Sequence, residues 1–83
     1  MTESQIIMYG TRWCGDCRRS KKVLEAGNIP YRWVDIDTDP AAAELVRKLN
    51  RGNRSVPTIL FPNGDILVEP SNAALAAKIG ATP

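Results

Sequence analysis

Residues 12–17 read RWCGDC, and Cys14 and Cys17 are the only cysteines in an 83-residue chain that has no histidine. Three positions apart, the two thiols lie within one helical turn of each other. A bridge between them would add little as a staple, because closing so short a loop removes little entropy from the unfolded chain. The opening MTESQIIMYG has no basic flank, and no run approaches the roughly 18 apolar residues of a membrane span. A cytoplasmic, thiol-reducing setting is therefore expected, where a CxxC pair is catalytic or metal-binding rather than structural. A tetrahedral zinc site wants four Cys or His ligands, and this chain offers two, so only a dimer would complete one. An iron–sulfur cluster bridging two chains, with outside thiols as extra ligands, is the other metal reading.

Working outward, residues 4–9, SQIIMY, read as a short apolar strand. Thr11 to Cys14 reads as a turn, and a helix runs from about Cys14 to Ala26. Gly27-Asn28 stops it, glycine accepting the left-handed conformation past a helix end. YRWVDI, residues 31–36, is aromatic and β-branched and reads as a second strand. Asp39 then caps a helix with Pro40 at its first position. In that helix Ala42, Leu45, Val46 and Leu49 follow the spacing of a core-facing stripe. TILF, residues 58–61, and DILV, residues 65–68, are strands around an Asn-Gly hairpin signal. Ser71 caps a last helix with Leu75 and Ile79 on one face. The order βαβαββα predicts a single α/β domain over residues 1–83. Its first two strands are parallel and its last two an antiparallel hairpin, giving a four-stranded mixed sheet flanked by three helices.

On the first helix, Cys17, Ser20, Val23, Leu24 and Gly27 share one arc at about 100° per residue, and Arg18, Arg19, Lys21, Lys22 and Glu25 the other. Cys17 should face the sheet, while Cys14 at the helix start can reach solvent. The free N–H groups of the first turn and the helix dipole favour negative charge on the Cys14 sulfur. The thiolate is the nucleophilic form, so the pair suits an exposed attacking thiol backed by a sheltered resolving one. Asp16 between them either opposes thiolate formation or simply favours a helix N-terminus as acids do. The net charge of +2 is too weak to argue for nucleic acid. Two basic groups stand out, Arg12, Arg18, Arg19, Lys21 and Lys22 near the cysteines, and Arg47, Lys48, Arg51 and Arg54. They are either solvated helix faces or a surface that attracts anions.

With WCGDC opening the first helix, VDIDTDP before the second and SVPT before the hairpin, nearly the whole chain resembles a glutaredoxin-like member of the thioredoxin superfamily. The resemblance implies that Pro57 is cis and lies beside the active thiol, and that Val56 offers its backbone to a bound thiol adduct. Glutathione-using members carry a lysine where this chain has Thr11, and a Gly-Gly-x-Asp segment where it reads VEPSN, residues 68–72. The pattern looks more like the mycoredoxin branch, which serves mycothiol rather than glutathione. There, Arg12, Asn53, Arg54, Ser71 and Asn72 would surround a polyhydroxylated thiol, the alternative for Asn53, Arg54, Ser71 and Asn72 being turn and cap roles. Trp13 would form an apolar platform. Trp33 reads as sheet surface or core, and Tyr9 as packing.

What the resemblance implies is a thiol–disulfide oxidoreductase acting on mixed disulfides between proteins and a low-molecular-weight thiol, with Cys14 attacking and Cys17 resolving or competing. It implies a small-thiol co-substrate, no bound cofactor, an NADPH-dependent reductase behind it, a monomer, and no nucleic-acid or membrane partner. The alternatives are a dithiol reductase recharged by a flavoprotein, and an iron–sulfur carrier.

Overall fold

The computed structural model describes residues 5–80. Strands β1 (Ile6–Gly10), β2 (Tyr31–Asp35), β3 (Thr58–Leu60) and β4 (Ile66–Val68) alternate with helices α1 (Gly15–Ala26), α2 (Pro40–Leu49) and α3 (Asn72–Ile79) in the order βαβαββα. They form one sheet in the order β2-β1-β3-β4. β1 pairs parallel with β2 and antiparallel with β3, and β3 pairs antiparallel with β4.

The two faces of the sheet follow from strand alternation in β1. Ile6 and Met8 point to one side and join Leu24 of α1, Leu75 of α3, Ile59 and Phe61. Ile7 and Tyr9 point to the other, where Ile36, Ala42, Ala43 and Val46 close the α2 layer. Met8, Leu24 and Ile59 have no exposed surface, and each such side chain contributes about 1.5–3 kcal/mol by leaving water.

The caps stand where the sequence puts them. Asp39 accepts from the Ala42 N–H at 3.1 Å, with Pro40 opening α2. Ser71 Oγ accepts from Ala74 N–H at 3.0 Å, opening α3. Each such cap contributes about 1 kcal/mol.

Four expectations shift. Gly27 has φ −87° and Asn28, not the glycine, takes the left-handed turn at φ 55°. Asparagine tolerates that region, and Ile29 N–H closes the end on Leu24 C=O at 2.9 Å. Leu49 does not face the core but is 36% exposed. α2 rests on the sheet through the small residues Ala42 and Ala43 together with Val46, so its contact arc is centred a little to one side of the expected stripe. At the helix end Asn50 Nδ2 bonds Val46 C=O at 2.8 Å and Thr58 Oγ1 at 3.1 Å. The first strand starts at Ile6 and runs on to Gly10, residue 4 of the expected strand lying outside the described residues, and the second ends at Asp35. The hairpin strands are shorter than expected, because Phe61 and Asp65 close the turn instead. Phe61 N–H bonds Asp65 C=O at 2.8 Å, Asn63 Oδ1 accepts from Asp65 N–H, and Gly64 adopts φ 95°.

Because β1 and β2 run the same way, the loops that leave them, residues 11–14 and 36–39, share one edge of the sheet. Ile36 N–H bonds Gly10 C=O at 2.9 Å and carries the pairing up to that edge. Both cysteines stand there.

Candidate functional site

Cys14 is the N-cap of α1. Its backbone is extended, and its Sγ accepts the Cys17 N–H at 3.1 Å, as a serine or aspartate oxygen would at a cap. The helix start thus aims its free N–H groups and positive dipole end at this sulfur. Cys14 is half-buried, and its thiol points to Val56 C=O at 3.9 Å. The Val56–Pro57 peptide is cis and Pro57 is buried. Pro57 C=O accepts from Glu69 N–H at 2.9 Å.

Cys17 is 1% exposed. It faces Gly10 so closely that a Cβ on that glycine would lie 2.5 Å from the sulfur. Burial, then its hydrogen bond with Cys14, push the Cys17 thiol up to about 12, while the Thr11 backbone and the Lys21 ammonium pull the other way. The exposure difference read from the helical wheel is therefore present, with Cys17 held as a thiol. Thr11 is 3% exposed. Its hydroxyl and that of Ser20 are buried without a hydrogen-bond partner.

Beside the Cys14 turn the loops converge on a residue to which sequence reasoning gave no role. Asp37 accepts from the Trp13 indole N–H at 3.1 Å on one carboxylate oxygen and from Arg54 at 2.7 Å on the other. Trp13 is 71% exposed, with its indole N–H tied to the Asp37 carboxylate. The Arg54 guanidinium chiefly holds the Asp37 carboxyl below the usual range; desolvation opposes it, and the Trp13 N–H adds a lesser lowering. Arg12 reaches only within 3.8 Å of Asp35, and its C=O accepts from Arg18 at 3.4 Å. The VDIDTDP stretch carried the signal, an acidic loop beside the cysteine turn, but not the partners.

A depressed carboxylate keeps its network at neutral pH and loses it only as pH falls through its lowered folded value. The Trp13 Nε1–H resonance should accordingly shift on acidification, with a midpoint lower than that of an ordinary aspartate. In Asp37→Asn that titration should vanish. A wild-type resonance that ignores pH, or a variant that still titrates, would refute the contact.

The remaining expected residues divide. Arg19 bonds Asn72 Oδ1 at 2.8 Å and Asp16 at 2.9 Å, tying α1 to α3 and compensating the Asp16 charge beside the cysteines. Ser71 caps α3, and Asn53 Nδ2 bonds Asn50 C=O at 3.1 Å. Both side chains serve their own backbone, the turn-and-cap alternative. Ile7, Tyr9, Val34 and Leu45 line an open groove on the α2 face that neither cysteine borders. Among the described residues, no three His, Cys, Asp or Glu side chains converge as a metal site. None of the described helices is long and apolar enough to cross a membrane.

A family model described as glutaredoxin matches residues 6–67. A protein of Mycobacterium tuberculosis named as a glutaredoxin is 44% identical over 79 residues, covering 95% of this chain and 94% of that protein. Mycoredoxin 1 of Corynebacterium glutamicum is 38% identical over 78 residues, covering 94% and 96%. The crystal structure of a thioredoxin-like protein superposes with a TM-score of 0.82 at 21% identity, covering 96% of this chain and all of the other, a likeness of fold.

Proposed function

The chain belongs to the glutaredoxin family and is a thiol–disulfide oxidoreductase, and from that premise we propose that it reduces mixed disulfides between proteins and mycothiol, with Cys14 as the nucleophile. The carrying observation is the placement of the Cys14 sulfur. It caps α1, receives the Cys17 N–H, stays half-exposed and sits beside the Val56 backbone.

The Cys14 thiolate attacks the small-thiol sulfur of the mixed disulfide. The old S–S bond breaks, the protein thiolate leaves and takes up a proton, and Cys14 keeps the small thiol as its own mixed disulfide. A second molecule of the small thiol then attacks that bond, restoring Cys14 and releasing the small-thiol disulfide. An NADPH-dependent reductase consumes that product. Val56 pairs its backbone with the adduct beside Pro57, and Trp13 gives it an apolar wall. Cys17, buried and protonated, is the weaker competitor for the Cys14 adduct.

Mycothiol is favoured over glutathione by what the rim lacks and holds. Thr11 is buried and presents no cation, and α3 opens on Pro70-Ser71 without a Gly-Gly-x-Asp segment. A polyhydroxylated head needs hydrogen-bonding groups rather than a carboxylate site. Arg12, Arg54 and Asn72 offer them at the rim, with Asn53 and Ser71 as outer contacts. The relative named mycoredoxin 1 supports the same choice. We place the enzyme in the cytoplasm, acting as a monomer.

The test is an NADPH-coupled assay on one mixed-disulfide substrate, with mycothiol, glutathione or thioredoxin reductase supplying electrons in parallel. Turnover with mycothiol alone is expected. Turnover only with thioredoxin reductase would replace the proposal with a dithiol mechanism.

A further inference from the structure

Lys21 and Trp33 have no part in the attack by Cys14, yet Trp33 shares the bare face of Gly10 with Cys17, and Lys21 stands over the Trp33 ring. A Cβ on Gly10 would meet Cys17 Sγ at 2.5 Å and the Trp33 ring carbons Cη2 and Cζ3 at 2.7 and 2.9 Å. Sulfur and ring edge therefore share the bare face of one glycine. Over the same ring, Lys21 Nζ stands 3.6 Å from the centroid. This is a close cation–π geometry, and it holds a flexible ammonium in one place.

The groups that bear on the Cys17 sulfur come from every side. α1 supplies Cys14 and Lys21, the loop after β1 supplies the Thr11 backbone, β1 supplies Gly10 and β2 supplies Trp33. Among them Lys21 carries the positive charge, and it pulls the Cys17 thiol toward the thiolate. Lys21 is also one helical turn beyond Cys17, so the helix fixes their spacing as well.

We propose that Lys21, held on Trp33, is a positioning residue for a second step in which Cys17 resolves the Cys14 adduct. The proposal rests on the reading of Cys14 as nucleophile. In that step Cys17 gives its proton to solvent and its sulfur attacks the Cys14 sulfur. The Cys14–S–S–R bond breaks, the Cys14–Cys17 disulfide forms, and the R thiolate leaves and takes up a proton. One disulfide replaces another, so no outside oxidant or reductant enters. The fixed ammonium offsets the negative charge that develops on Cys17, in a place where burial alone opposes it. Lys21 thus sets how readily the internal disulfide competes with the small thiol for the adduct.

The experiment uses 5,5′-dithiobis(2-nitrobenzoate) as the disulfide and follows its coloured thiolate in a stopped-flow instrument. The first equivalent leaves when Cys14 attacks and the second when Cys17 resolves. In Lys21→Met the second phase should slow about tenfold relative to the first and move to higher pH. Lys21→Arg should restore it, which a packing defect would not allow. Lys22→Met removes the same charge from the exposed side of α1 and should leave the second phase alone. An unchanged second phase in Lys21→Met, or equal slowing in Lys22→Met, overturns the role of Lys21. A first equivalent that persists in Cys14→Ser would instead overturn the assignment of Cys14.

Discussion

Cys14→Ser is expected to remove mixed-disulfide reduction by at least about 1000-fold while leaving the fold intact. A serine hydroxyl is a poor nucleophile without an adjacent base, and the described site offers none. The substitution is clean for a structural reason. Position 14 is the N-cap of α1, and serine is among the best N-cap residues. Its Oγ can accept the Cys17 N–H in place of the sulfur, so helix content and thermal midpoint should match the parent. Loss of activity with unchanged stability is then a chemical result. The partner variant separates the mechanisms. Cys17 is buried and held as a thiol at about 12, so Cys17→Ser should keep reduction of small-thiol adducts when mycothiol is supplied. Complete loss in Cys17→Ser would mean that the internal disulfide is obligatory, and a dithiol mechanism would take the place of the one proposed. Retained activity in Cys14→Ser would remove Cys14 from the nucleophile's role altogether.

What could be read in advance divides along a physical line. Local signals were legible. Asp39-Pro40 and Ser71 cap helices because capping is decided within three residues. The burial of Cys17 follows from helical periodicity alone, since its neighbours on the same arc are Ser20 and Leu24. The parallel first pair and the antiparallel last pair needed only the alternation of elements and a hairpin signal, while the central place of β1 against β3 had no local signal. What escaped depends on residues far apart in sequence. Asp37 gains its importance from Trp13 and Arg54, which stand 24 and 17 positions away and meet it only because β1 and β2 end, and β3 begins, at one edge of the sheet. Leu49 satisfied the helical spacing, but spacing does not say on which residues a helix rests, and the alanines of α2 decide that. Trp33 could not be assigned a face from its aromatic character. Pairing with Met8 in β1 places its ring on the α1 side, beside Gly10 and Cys17. Asn53 and Ser71 were candidates for the thiol site, and short-range hydrogen bonds occupy both.

Gly10→Ala carries the largest expected loss of stability for a single methyl group. Gly10 ends β1 fully within the structure, with α1 and Trp33 packed onto it. An added Cβ would stand 2.5 Å from Cys17 Sγ and 2.7 Å from Trp33 Cη2. Neither neighbour has an easy escape. Cys17 is a short side chain fixed in the first turn of α1, and Trp33 is a rigid ring under the Lys21 ammonium. Relief requires moving α1 from the sheet or turning both side chains out of their rotamers. Overpacking of this kind costs about 1–3 kcal/mol and occasionally more, and the double clash argues for the upper end. A drop of about 3 kcal/mol corresponds to a thermal midpoint lower by on the order of 12–24 °C in a domain this small. Gly15→Ala supplies the contrast, because a Cβ there meets nothing within 4 Å. It opens α1, where alanine reduces the freedom of the unfolded chain, and it should raise stability by about 0.4–1 kcal/mol. Thermal unfolding of both variants in the reduced state makes the comparison. If Gly10→Ala melts with the parent, the sulfur and ring do not share the face of Gly10. The packing that keeps Cys17 a buried thiol, and that seats the Lys21 ammonium on Trp33, would then have to be rebuilt on other contacts.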